Sequence, residues 1–183
     1  MRRLLIPAAL LAAALLGVFL YVREAGPGWA ERLRYPLEYR AIIEGHAENY
    51  DLDPALLAAV IYRESRFDPE AVSEAGAIGL MQLLPDTAKG IATYTGGTKF
   101  RVEDLRDPEL NVRYGAFYLR RLLDKYGDVE LALAAYHAGQ GNVDDWLARG
   151  EGILFPETRE YVDDVLRLRG IYRNAHGLER DQA

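Results

Sequence analysis

Glu64 lies in the run Tyr62-Arg63-Glu64-Ser65-Arg66-Phe67-Asp68-Pro69, where helical spacing aims its carboxylate at the apolar side of a helix that is about to end. Asp53 offers an N-cap and Pro54 suits a first helical turn, which predicts a helix from Pro54 to about Ser65. Leu56, Leu57, Val60 and Ile61 recur at three- and four-residue intervals, and Glu64 extends that stripe by one turn. An isolated ionised carboxylate on such a face is destabilising, so it must be partnered, partly solvated in a cleft, or protonated. A protonated carboxyl in a cleft is a general acid. A glutamate that snorkels to the rim of the core, or pairs with Arg63 or Arg66, has a structural role instead, and the helix alone leaves both open.

The next stretch, from Ala71 to Pro85, favours chemistry. Gly76 and Gly79 permit tight turns or the close approach of a ligand, and Gln82 is a polar residue in an apolar run with Leu80, Met81, Leu83 and Leu84. Such a segment can form a loop wall beside a groove.

The elements around it are read from punctuation and periodicity. From Pro36 the pattern is helical, with Tyr39, Ile42, Ile43, His46 and Tyr50 on one stripe and His46 a packed core residue rather than a ligand. A helix is expected from Pro85 to about Tyr94, stopped at Gly96-Gly97. Asp107-Pro108 opens a long helix with Val112, Gly115, Ala116, Leu119, Leu122, Leu123 and Tyr126 on one face, and Gly127 ends it. Residues Val129 to Tyr136 are apolar on all sides, as in a central buried helix. A loop Gly139-Gln140-Gly141, a short helix through Trp146 and a last helix from Pro156 to about Tyr172 complete the set. The expected class is all-α, with at most a small hairpin near 95–102.

The chain has 183 residues, 50% of them hydrophobic, enough for one good core. Arg2 and Arg3 precede nineteen uncharged residues, Leu4 to Val22, which as a helix would span ~28 Å, close to the thickness of a bilayer. The expected organisation is an N-terminal membrane anchor or signal segment at 1–22, a linker at 23–35, a helical domain at 36–175 and a tail at 176–183. Arg23 and Glu24 stand where a cleaved signal would place small residues, which favours an uncleaved single-pass anchor with an extracytoplasmic domain over secretion after cleavage. Fully extended, the linker reaches at most about 45 Å from the membrane.

There is no cysteine, which excludes disulfides and thiol catalysis. With 22 Lys and Arg against 28 Asp and Glu, and only Arg2 and Arg3 charged before residue 23, the remainder carries a net charge of −8. Nucleic acid is not an expected partner. His46, His137 and His176 show no metal-ligand spacing, and no metal or other cofactor is expected.

Five short motifs then appear in order: Glu64-Ser65; Gly79-Leu80-Met81-Gln82; Asn111, Gly115, Tyr118 and Leu119 on one helix; Ala135-Tyr136-His137-Ala138-Gly139; and Glu157-Thr158 with Tyr161-Val162. Over roughly residues 40 to 172 the chain resembles lytic transglycosylases of the soluble-lytic-transglycosylase type, relatives of goose-type lysozymes. The resemblance implies a lysozyme-like helical fold. It also implies cleavage of peptidoglycan glycan strands between N-acetylmuramic acid and N-acetylglucosamine, with Glu64 as sole catalytic acid/base and 1,6-anhydro ends as product. By the same resemblance Ser65 and Gln82 hydrogen-bond substrate or orient Glu64, and Gly79 and the Met81 backbone line the groove. Tyr136 offers a hydroxyl near the carboxylate, and Tyr161 a second one across the cleft.

His137 departs from the asparagine common in the family. A cationic imidazole there would favour ionised Glu64 and oppose its role as acid. Two other readings stand beside the transglycosylase. One is a goose-type-like hydrolase using Asp68 or Asp86 as second carboxylate, although these residues suit a turn before Pro69 and a helix start. The other is a non-catalytic peptidoglycan-binding scaffold.

Overall fold

The computed structural model describes residues 15–19, 28–97 and 99–179. They fall into two units that divide between Pro36 and Leu37. In the first, residues 15–19 are helical, and α1 (Gly28–Arg34) occupies part of the stretch expected as linker. The rest of the apolar run at 4–22 lies outside the described residues. Among those described, no helix is long and apolar enough to cross a membrane.

The second unit is built from α2 (Arg40–Asn49), α3 (Pro54–Ser65), α4 (Pro85–Thr95), a 3-10 helix (Val102–Arg106), α5 (Pro108–Tyr126), α6 (Val129–Ala138), α7 (Gln140–Ala148) and α8 (Pro156–His176). Aspartates start three of these helices: Asp53, Asp107 and Asp128 accept hydrogen bonds from the backbone N–H groups of Ala55, Leu110 and Leu131. Left-handed glycines end α4, α5 and α8, at Gly96, Gly127 and Gly177.

Two helices form the interior. Every residue of α3 from Pro54 to Ile61 is buried, and α6 is buried at Ala132–Ala135. The expectation of a helix buried all round thus applies more fully to α3; in α6 it holds for the middle, while Val129, Leu131 and Tyr136 are half-buried. The main packing is α3 on α8, with α6 set against α5, α7 and α8. One polar junction ties α3 to α8: besides capping Ala55, Asp53 accepts from Arg169 and Arg173, both at 2.6 Å. Burial raises the Asp53 pKa, and Arg169, the Ala55 N–H and Arg173 together more than offset it, leaving the carboxyl below its usual range. His46 is 6% exposed and bonds Glu109 at 2.8 Å, a core residue joining α2 to α5.

Two expectations are corrected, at 139–141 and at the end of α8, and the allowance for a small hairpin goes unused. No hairpin forms near 95–102 among the described residues; Arg101 instead bonds its N–H to Asp104 and leads into the 3-10 helix, so its backbone is satisfied without a ladder. The β pairing lies in the Ala71–Pro85 segment, as isolated antiparallel bridges Val72–Ile78 and Ile78–Leu83. The loop at 139–141 shrinks to Gly139 alone, whose φ of 89° and ψ of 146° break the helix before α7 starts at Gln140. Finally, α8 continues one turn past Tyr172, with His176 stacked on that tyrosine at 5.4 Å.

Candidate active site around Glu64

Glu64 sits in the last turn of α3, where the helix stops in an unusual way. Arg66 and Phe67 both adopt positive φ, 54° and 67°, a conformation that costs non-glycine residues energy and turns the chain sharply after Ser65. Phe67 is nonetheless buried, against Tyr62 and Tyr172, so packing of the ring supports the turn. The Glu64 side chain is left at the edge of the core, where its Oε1 accepts a 2.6 Å hydrogen bond from the Tyr161 hydroxyl on α8.

Desolvation is the largest influence on this carboxyl and pushes its pKa up to about 7; the Tyr161 hydrogen bond and the charge of Arg63 oppose it and win back only part. Near neutral pH the group therefore exists in both protonation states. Tyr161 is itself driven well above the normal tyrosine range, first by burial and then by Glu64, so it keeps its proton and remains the donor.

The facing wall is the segment expected to line a groove, and it is held by three helices, α3, α5 and α6. Ser65 Oγ donates to the Leu80 carbonyl at 2.8 Å, with the Ile61 carbonyl at 3.2 Å as second acceptor. The Tyr136 hydroxyl on α6 donates to the Met81 carbonyl at 2.7 Å. From α5, Asn111 is 0% exposed and uses its whole amide: Oδ1 accepts from Met81 N–H, and Nδ2 donates to the carbonyls of Ile78 and Leu105. Also from α5, Gly115 leaves the room that the Met81 side chain fills, since a Cβ there would collide with its sulfur.

Gly79 is required twice over. Its φ is 82°, and a Cβ would run into the Asn111 amide and the Leu105 carbonyl. Three residues later Gln82 holds φ at 48° without being glycine, and its Nε2 donates back to the carbonyls of Gly79 and Ala71. This local strain is carried beside the carboxyl, where functional sites commonly store it.

Some assignments change with this geometry. The tyrosine bonded to the carboxyl is Tyr161, whereas the Tyr136 hydroxyl is committed to the loop; Tyr136 still feels the Glu64 charge, which together with burial lifts its pKa well above normal. Ser65 and the Gln82 amide donor are spent on loop carbonyls, so both act on the shape of the wall. The concern over His137 also changes. Its ring stacks on Tyr161 at 4.5 Å and its Nδ1 lies 3.1 Å from the Thr158 hydroxyl. Burial first and Arg63 second lower its pKa against a smaller opposing pull from Glu157, so the imidazole is neutral at neutral pH.

The cation beside Glu64 is Arg63, whose guanidinium lies 5.6 Å from the Tyr161 ring centroid and whose Nε is 3.3 Å from Asp164. Periodicity did not single out Arg63, since an arginine at a helix end ordinarily faces water. Asn111 was visible as a motif residue but not as the anchor of the wall; a lone amide beside Val112 on an otherwise apolar face was the available signal.

A family model described as the Transglycosylase SLT domain matches residues 41–152, and the chain belongs to that family. It is 34% identical over 161 residues to the soluble lytic murein transglycosylase of Salmonella typhimurium, covering 79% of this chain and 24% of that protein. It is 42% identical over 131 residues to the transglycosylase of Enterobacteria phage PRD1, covering 72% of this chain and 43% of the phage protein. The chain thus spans under half the length of these relatives. Among solved structures, the 70 kDa soluble lytic transglycosylase of Escherichia coli superposes with a TM-score of 0.75 at 30% identity, covering 82% of this chain and 27% of that one. An inactive glutamate-to-glutamine mutant of the Pseudomonas aeruginosa enzyme Slt gives 0.74 at 34% identity, covering 81% and 26%.

Proposed function

We propose that this protein is a peptidoglycan lytic transglycosylase in which Glu64 serves first as general acid and then as general base. The observation that carries the reading is a single carboxyl with a pKa of about 7, set by desolvation and held by Tyr161 between α3 and α8. Protonated Glu64 donates to the glycosidic oxygen, and the bond from that oxygen to the muramoyl anomeric carbon breaks. The substrate's own N-acetyl carbonyl stabilises the cationic carbon. Glu64, now ionised, takes the proton of the muramoyl 6-hydroxyl, whose oxygen closes on the anomeric carbon and leaves a 1,6-anhydro end. No water is consumed, and the tethered nucleophile gains from high effective molarity.

Ordinary glycosidases need a second carboxylate as nucleophile or as base for water. Here the charged group that shifts Glu64 is the cation Arg63, and no carboxylate does so among the described residues. Asp68 accepts from the Glu70 N–H in a turn, and Asp86 is an exposed residue paired with Lys89. Both support the substrate-assisted route over the hydrolase. The names of the relatives point to the same substrate, and the Pseudomonas relative is described as inactive with one glutamate changed to glutamine.

His137, Tyr136 and the Gly79–Gln82 backbone are proposed to line the groove that receives the glycan, and residues 1–22 are proposed to anchor the enzyme at the membrane. The reading is tested by incubating the protein with purified peptidoglycan and weighing the released fragments. Anhydro-ended muropeptides are expected; ends heavier by one water would establish a hydrolase, and unchanged polymer a binding scaffold.

A further inference from the structure

Arg63 precedes Glu64 on α3, and two contacts set its guanidinium against α8. The guanidinium carbon lies 5.6 Å from the centroid of Tyr161, the ring whose hydroxyl donates to Glu64 at 2.6 Å. Nε lies 3.3 Å from Asp164, further along the same helix. The Arg63 and Asp164 side chains are 37% and 33% exposed, and an ion pair that open contributes little to folding. Its hydrogen-bond geometry is also poor: Nε is buried yet has no aligned acceptor among the described residues, and Asp164 is shared with Arg167 at 3.0 Å. One carboxylate thus answers two guanidiniums, which leaves part of the Arg63 charge to act on the site.

The titratable groups that act directly on Glu64 or feel its charge are Arg63 on α3, Tyr161 on α8 and Tyr136 on α6. Behind them stand Asp164 on Arg63, Tyr118 on Tyr136, and His137 with Glu157 beside Tyr161. The wall from Ile78 to Leu84 carries no charged side chain. Both tyrosines are driven well above the normal range and stay neutral, and the imidazole is neutral as well, so Arg63 is the cation of this group near pH 7.

We infer that Arg63 is a positioning residue of the glycan-cleaving reaction: latched to Asp164 and held against Tyr161, it keeps the tyrosine hydroxyl on Glu64 and supplies the positive charge that meets the carboxylate as its proton leaves. This role rests on the transglycosylase reading of Glu64 and adds to it a stabiliser for the ionised acid. While Glu64 is protonated it gains little from a cation. Once the proton passes to the glycosidic oxygen, a carboxylate stands in a largely desolvated place, where a nearby charge acts far more strongly than in water. An interaction that strengthens only as charge develops lowers the barrier without tightening substrate binding.

The test measures release of anhydro ends from soluble glycan strands by the full chain as a function of pH, for wild type, Arg63→Gln, Arg63→Lys, Asp164→Asn and the Arg63→Gln, Asp164→Asn pair. Below the alkaline limb, Arg63→Gln is expected to lower kcat and kcat/KM together by about tenfold, with KM within about twofold. The limb itself should move up from about 7 by roughly half a pH unit, because a cation that favours the carboxylate is gone. Arg63→Lys restores the charge and should return the limb to its wild-type position with most of the rate. Asp164→Asn should cost about threefold alone and nothing further beside Arg63→Gln, since the latch acts through the arginine. An unchanged rate or limb in Arg63→Gln, or an equal displacement in Arg63→Lys, would overturn the role. So would a loss confined to KM, which would make Arg63 a substrate contact. If wild type releases no anhydro ends, the transglycosylase reading fails and the role falls with it. If wild type turns over and Arg63→Gln behaves like it, only the role of Arg63 is refuted.

Discussion

At the scale of the residue, Glu64 is a compromise between burial and two modest attractions, and its titration has consequences for rate and for stability. As the free enzyme's acid it must be protonated, so kcat/KM should fall as pH rises through about 7. Because burial and Arg63 keep His137 neutral there, His137→Asn should leave that alkaline limb in place, and a marked upward displacement would show that the imidazole carries charge. The stability effect has a definite sign. A carboxyl whose pKa rises from 4.5 unfolded to about 7 folded adds stability that is complete below pH 4.5 and is lost by about pH 7. Glutamine does not titrate, so the stability of Glu64→Gln relative to wild type should grow across that window by roughly 1–3 kcal/mol in thermal or urea unfolding. A difference that stays flat with pH would mean that Glu64 titrates normally. The sequence located this carboxyl from its stripe on the Pro54 helix, but the identity of its hydrogen-bond partner depended on how α8 meets α3, and no local pattern encodes that.

At the scale of the element, the site is a helix end facing a loop wall, and the wall depends on α5. Asn111→Ala removes the partner of the Met81 N–H and of the Ile78 and Leu105 carbonyls inside the core. The cost should be about 3–4 kcal/mol in chemical denaturation, since several buried polar groups lose their bonds at once. A loss below about 1 kcal/mol would show that the wall holds without this anchor. Helix positions were legible because proline, aspartate and glycine mark their ends: Asp53-Pro54, Asp107-Pro108 and Gly127 fall at the observed boundaries. Less legible was the stretch near 95–102, where a small hairpin was allowed for. There Phe100 packs on Tyr114 at 5.6 Å and the backbone enters a 3-10 helix, a tertiary choice that outweighs local preference.

At the scale of the whole molecule, the family match covers residues 41–152 of the helical unit, and the proposed role of the apolar run from Leu4 to Val22 is to hold that unit at the membrane. If the run is an uncleaved anchor, the full-length chain stays in membranes and protease reaches its domain only from outside the cell. Mature protein beginning near residues 23–30 and free of membranes would establish cleavage instead. The proposed glycan cleavage without a second acid rests on the one carboxyl raised to about 7 among the described residues and on the pinned wall beside it. The most direct measurement of that claim is turnover of purified peptidoglycan by Glu64→Gln beside the wild type, followed by mass analysis of released anhydro-muropeptides. Since the amide keeps the shape and can still accept from Tyr161 but cannot deliver a proton, turnover should fall by ~10²–10⁴ or more while the protein remains folded. Activity within about tenfold of wild type would contradict the account and send the search for the proton donor elsewhere.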